Sequence, residues 1–223
     1  MKLVRRGIIT PPDDDKEGEN KGCENKEDIG LGMPNGDGKN RANRGGIDVE
    51  SGIAVTNIGW SVRRARPADA AQLLNILDVV GAEAWYIAND GASWSVNDQR
   101  RIIEGLVDHA QCIFVADYLG AVVGSLEMVR GSLAKNQHSA NLAMAILPSY
   151  RGRGIGTRLM EEAHAWAAQV GIEKICLSVF ATNQAAIRLY QKMGYQLEGT
   201  RIGQYRIQGR RVDELFMAYF LPG

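Results

Sequence analysis

The chain has 223 residues, 26 basic against 26 acidic side chains and no net charge. That balance argues against a protein held to nucleic acid by bulk charge. No run approaches the roughly 18 consecutive apolar residues of a spanning helix, and the length allows one ordinary domain with a tail, or two small ones. Residues 1–59 come first and contain no aromatic residue, while all 15 Phe, Tyr and Trp fall in residues 60–223. The first segment carries 20 charged residues and 11 glycines. It is expected to be a disordered or loosely attached polar tail, because it has too little apolar area to offset chain entropy. Met1 to Thr10 lacks the continuous apolar stretch of a signal peptide, so a soluble, cytoplasmic protein with no membrane partner is expected. The folded unit is then residues 60–223.

Within that unit, Ser61 to Ala65 reads as a strand ended by Arg66-Pro67. Leu73, Leu74, Leu77 and Val80 carry helical spacing over Asp69 to Val80, with Gly81 as the expected cap. A second helix is predicted over Val96 to Asp108, with Asn97 or Asp98 near its start. Cys112 to Ala116 and Ala121 to Val129 flank Asp117-Tyr118-Leu119-Gly120 and read as a hairpin. Asn141 to Leu147 is an apolar strand stopped by Pro148, and Gly154 to Val170 is the strongest helix in the chain. Glu173 to Phe180 reads as a strand, Asn183 to Met193 as a helix, and Val212 to Phe220 as a last strand, with room for another near Tyr195 to Gly199. The predicted fold is α/β, a mixed sheet with helices on its faces.

The stretch from Ile146 to Thr157 joins an apolar strand to the best helix, and it holds Gly152, Gly154 and Gly156 at alternate positions. Glycines there let a ligand approach the backbone. The first turn of a helix offers unpaired N–H groups and partial positive charge, which suits a pyrophosphate. Arg151 and Arg153 add formal charge at the rim. A P-loop would need Lys and Ser or Thr after its last glycine, and Ile155-Gly156-Thr157 does not supply them. A dinucleotide fingerprint would need a third glycine where Thr157 stands. A ligand-free tight turn stays open on these residues alone.

Arg151-Gly152-Arg153-Gly154-Ile155-Gly156 resembles the R/Q-x-x-G-x-G/A signature of the GNAT superfamily of acyl-CoA N-acyltransferases. Downstream, the run from Asn183 to Tyr195 is similar to the family's N-x-x-A-x-x-x-Y-x-x-x-G-F/Y segment. The resemblance covers residues 60–223 and none of the first segment. It implies a GNAT-like fold with a central mixed, mostly antiparallel sheet. It implies acetyl-CoA as cosubstrate, its pyrophosphate cradled by the turn of Arg151, Gly152, Arg153, Gly154, Ile155, Gly156 and Thr157. The strand ending at Ile146 would pair with the pantetheine amides, Asn183 would hydrogen-bond the pantetheine arm, and Tyr190 would stand beside the sulfur as the acid. The acceptor implied is a primary amine, in a small molecule, an amino acid or a protein N-terminus, attacking directly in a ternary complex. A homodimer is compatible with this reading, and a CoA-binding regulatory module without catalysis is the alternative.

The general base is the open position. The strand Asn141 to Ile146 contains no acid, unlike protein-acetylating members that carry a Glu there. Glu127 on the preceding strand is the candidate by alternation, with a solvent-facing strand residue as the plainer reading. His138 is a second candidate. His109 and His164 sit on predicted helices without ligand partners, and the three cysteines, Cys23, Cys112 and Cys176, are odd in number and far apart. No metal site and no disulfide framework are expected, and Cys112 and Cys176 should act as small hydrophobes in strands. Trp85, Tyr86 and Trp94 should wall the acceptor side or belong to the core. Deleting residues 1–59 is expected to leave the melting temperature and CoA affinity nearly unchanged, since every motif lies downstream. A large drop in melting temperature after truncation would place the domain boundary elsewhere.

Overall fold

The computed structural model describes residues 59–222, so the expected tail lies, but for Gly59, outside the described residues. The elements in chain order are β1 (Trp60–Arg64), α1 (Ala70–Ala82), α2 (Val96–Glu104), β2 (Gln111–Tyr118), β3 (Ala121–Arg130) and β4 (Ser139–Ile146). Then come α3 (Ile155–Gln169), β5 (Lys174–Phe180), α4 (Gln184–Lys192), β6 (Gln196–Ile207) and β7 (Arg210–Phe220). The strands form one seven-stranded sheet in the order β1-β2-β3-β4-β5-β7-β6. Every pairing is antiparallel except β4 with β5, so the sheet is mixed and mostly antiparallel. No helix among the described residues is long and apolar enough to cross a membrane.

Local chemistry explains most element ends. The β2–β3 turn puts Leu119 at φ 52° and Gly120 at φ 89°, two left-handed residues whose twist suits a two-residue hairpin. Asp117 accepts the Gly120 N–H at 2.7 Å and steadies that turn. Arg63 on β1 forks onto Asp69 at 2.7 and 2.9 Å and reaches Asp117 at 2.9 Å. It thereby ties the first strand to the start of α1 and to β2. The last hairpin is longer than its apolar pattern suggests: β6 runs 12 residues, with bulges between Leu197 and Gly199 and between Arg201 and Tyr205.

Two helix ends differ from expectation, that of α2 and that of α1. Helix α2 begins at Val96 as expected, with Asp98 in its first turn, and Ser95 caps it in a box in which Ser95 and Asp98 each accept the other's backbone N–H. The helix stops at Glu104, with Gly105 as its cap, four residues short of Asp108. Gly81 is not a cap. It is buried inside α1, and a Cβ there would meet Asn89 O at 2.7 Å and Gly91 N at 2.8 Å. A glycine is needed because the segment after the helix folds back against it.

The sheet has two clothed faces. On one, Leu73, Ile76 and Val80 of α1 and Ile103 of α2 pack on Ile113, Val115 and Ala145. On the other, Leu159, Met160, Ala163 and Trp166 of α3 pack on Phe114, Leu126, Met128 and Leu177, with Ile187 and Tyr190 of α4 beside them. Gly81→Ala is the sharp test of this packing. Helix propensity favours Ala by about 1 kcal/mol, yet the overlap with backbone should reverse the sign, for a net loss of about 1–3 kcal/mol in urea unfolding. A stabilised variant would mean that the 89–91 backbone yields freely.

Candidate functional site

Strands β4 and β5 pair only at Ser139–Lys174, Ala140–Ile175 and Asn141–Cys176. Beyond Asn141 the two part, while β4 stays paired to β3 as far as Ile146 and β5 to β7 as far as Phe180. The far half of β4 therefore has one edge without a strand neighbour, and such an edge can pair with an extended chain carrying amides. The opening belongs to a cleft of about 1750 Å³ that reaches both faces of the sheet.

At the end of that edge lies the glycine turn. The first intrahelical bond of α3 runs from Arg158 N to Gly154 O at 3.1 Å, which leaves the Ile155, Gly156 and Thr157 amides without an acceptor in the helix. Gly152, Gly154, Ile155, Gly156 and Thr157 all line the cleft. The three glycines do different work. Gly152 and Gly154 hold φ 73° and 82°, left-handed backbone, with open space where a Cβ would stand. Gly156 is buried, and a Cβ there would strike Leu189 Cδ2 at 2.8 Å. It permits α3 and α4 to approach rather than a ligand to enter.

The two arginines beside the turn differ, Arg151 being engaged and Arg153 exposed. Arg151 donates to both carboxylate oxygens of Glu83, at 2.9 and 2.6 Å, and through Nε to Ile146 O at 2.9 Å. Its guanidinium also stands 4.3 Å from the Tyr86 ring centroid. Arg153 is exposed and lies over the Tyr150 ring at 5.4 Å. Attraction for an anion at this turn therefore rests first on amides and the helix dipole.

Asn183 is the N-cap of α4: its Oδ1 accepts the Ala186 N–H at 3.2 Å, and the residue lines the cleft. One helical face carries Ala186, Leu189 and Tyr190 to the same cleft. Tyr190 is 6% exposed, its ring 5.9 Å from that of Tyr195, and burial pushes its phenol up to about 12. It is thus both a packed aromatic and a cleft residue. The Tyr195 hydroxyl meets His164 Nε2 at 3.0 Å, and His164 stacks on Tyr219 at 4.7 Å. Burial holds the His164 imidazole below its ordinary value.

On the helix α1 side, Glu127 faces Ile113 on β2 and Ala143 on β4 in register. It is half-buried and lines the cleft, which corrects the plainer expectation of a solvent-facing strand residue. His138 is exposed, and its carbonyl oxygen takes the Glu173 and Lys174 N–H groups. Cys112 is fully buried, its thiol pushed up to about 12 by burial. Cys176 lies at the parting of the strands and is also shifted upward by burial. Neither is poised as a thiolate. Among the described residues, no group of three or more His, Cys, Asp or Glu could hold a metal ion.

Two site residues escape sequence reasoning. Glu214 on β7, 1% exposed, lines the cleft and accepts from Tyr205 at 3.3 Å and Arg201 at 3.4 Å. Alternation with Val212 and Phe216 could have flagged it. Glu83, the partner of Arg151, is 68 positions away in a loop with no pattern.

A sequence model described as the Acetyltransferase (GNAT) family matches residues 80–195. An uncharacterised N-acetyltransferase of Mycobacterium tuberculosis is 35% identical over 101 residues, 45% of this chain and 63% of that protein. An L-amino acid N-acetyltransferase of Escherichia coli is 30% identical over 100 residues, 44% of this chain and 62% of its own. The match thus spans less than two thirds of either relative. A GNAT acetyltransferase structure from Streptococcus pneumoniae superposes with a TM-score of 0.68 at 28% identity, covering 73% of this chain and 99% of that one. The structure of a Salmonella typhimurium protein, described as a putative acetyltransferase with its cofactor acetyl-CoA, gives 0.68 at 21% identity over 74% and 95% of the two chains.

The buried phenol offers a check that needs no ligand. Because the folded Tyr190 value lies above the ordinary 10, its stabilising effect is complete below pH 10 and is lost as pH rises toward about 12. Over that window the share of one such group is at most about 2–3 kcal/mol. Tyr195, also raised by burial, adds to the decline. Tyr190→Phe should flatten the fall in urea-unfolding stability between pH 9 and 11.5. Parallel curves for wild type and variant would mean that the hydroxyl is hydrated in the folded protein.

Proposed function

The chain belongs to the acetyltransferase (GNAT) family, and on that premise we propose that it moves an acetyl group from acetyl-CoA to a primary amine. The carrying observation is the parting of β4 and β5 next to a helix N-terminus with spare amides. The free β4 edge suits the amide-bearing pantetheine arm, and the turn at Gly152–Thr157 suits the pyrophosphate. Ile146 closes that edge, and Asn183 stands at the head of the helix that follows β5.

Chemistry at the gap requires little covalent help. An amine lone pair attacks the thioester carbonyl, the tetrahedral intermediate collapses, and the C–S bond breaks to release CoA thiolate. Tyr190 is neutral at working pH and lines the cleft; it donates a proton or a hydrogen bond to the departing sulfur. Glu127, on the amine side of the sheet, accepts the ammonium proton directly or through water. Amino acids are one supported acceptor class, since a relative is named for them. Small amines and protein N-termini are the others considered.

Thiol release from acetyl-CoA across a panel of amines tests the reaction. Tyr190→Phe should lower turnover about 10- to 1000-fold with little change in CoA affinity. Gly154→Val should weaken CoA binding on the order of 10-fold or more, because left-handed backbone strains any side chain. Unchanged affinity in that variant would remove the pyrophosphate assignment. Tight CoA binding with no turnover on any amine would favour a regulatory module instead.

A further inference from the structure

The Glu83–Arg151 pair has no task in the chemistry above, yet it joins the two ligand-facing parts of the molecule. Arg151 immediately precedes the glycine turn, and its Nε holds Ile146 O, the last carbonyl of the open β4 edge. Its other two nitrogens grip Glu83, the residue that ends α1. Both side chains are under a third exposed, at 29% and 27%. The bonds are forked and charge-assisted, a geometry that Lys cannot reproduce.

Glu83 opens the segment of residues 83–95 that leads to α2. That segment is fastened to its own helices. Ala92 N donates to Asp78 at 2.7 Å, Trp94 Nε1 donates to Gln99 at 2.7 Å, and the backbone at 89–91 rests on Gly81. Its Tyr86 and Trp94 line the cleft on the α1 side of the sheet, and Tyr86 is the ring beneath the Arg151 guanidinium. One guanidinium thus touches the end of β4, Glu83 and the Tyr86 ring.

We propose that Glu83 is a positioning residue: through Arg151 it couples the turn that receives the pyrophosphate to segment 83–95, so that acetyl-CoA orders the wall of the amine site. This rests on the cofactor reading given above. A staple that merely holds the fold would lower stability when cut but would leave the ligand-induced change in the wall untouched. Coupling between two sites is typically worth 5- to 150-fold in affinity, roughly, and acts equally in both directions.

Hydrogen exchange of the full-length protein, with coenzyme A as the probe, separates these cases. In the wild type, coenzyme A should slow exchange in both residues 152–157 and residues 83–95, by about 5-fold or more. In Glu83→Gln the turn should still be protected while the response of 83–95 disappears. Arg151→Lys should lose the same response, and the double variant should be no worse than either single one. Arg151→Lys alone carries the test if Glu83→Gln proves unstable. Equal protection of 83–95 in wild type and variants would overturn the proposal, as would a wild type protected at the turn alone. Protection at neither region in the wild type would instead sink the cofactor reading, and this inference with it.

Discussion

Everything at the site depends on two parallel strands that pair for three residues and then separate. The separation is held by what lies behind it. Gly156 lets α3 approach Leu189 of α4, and the side chains of Ile146 and Met144 close over the same point, within 3.4 and 3.6 Å of where a Cβ would stand. These side chains make a wedge on the α3 face, and Asn141 and Ser178 on the other face of the diverging strands remain exposed. Closing the gap would mean expelling that wedge from a packed interior, where even one methylene of misfit is felt. The opening is therefore part of the native packing.

Charge is deployed sparingly around this gap. The arginine nearest the turn is committed to a carboxylate and a ring, and the second stands over Tyr150 in solvent. Fixed dipoles, which cost no side-chain entropy when a ligand arrives, are left to meet an anion. On the opposite side the sheet offers carboxylates, Glu127 from β3 and Glu214 from β7, one strand beyond each lip of the gap. The cleft thus combines amide donors at the turn with carboxylate acceptors on the sheet.

How much of this could be read from residues alone varied with the range of the interaction. The strand and helix order, the glycine turn and the capping Asn183 follow from local rules: periodicity, left-handed glycines, a side-chain oxygen at a helix start. The errors arose where a distant segment decided. Gly81 looks like a helix stop, because nothing nearby announces that residues 89–91 will pack on it. The packing contact of Gly156 goes unseen, because Leu189 is 33 positions away. Arg151 looks like a free cation for the same reason: Glu83 lies in a stretch without pattern. The length of β6 was hidden by its exposed, alternating composition, which is read as a strand only once β7 lies beside it.

The order of the strands also has a consequence for how the chain reaches this state. β1 is joined to β2 across two helices, but β2, β3 and β4 are successive neighbours along the chain, each antiparallel to the last. On the far side, β6 and β7 form a hairpin of their own, and β5 reaches β7 only by skipping α4 and β6. Among the described residues, the few β4–β5 pairs are the only strand pairing that joins these halves. Within the halves the β2–β3, β3–β4 and β6–β7 hairpins close small loops, whereas β1–β2 and β5–β7 join residues up to 58 and 46 positions apart, farther than the 35 at the β4–β5 seam. The crossover between the two half-sheets is α3, so the gap opens at the one join where neither half can form it alone.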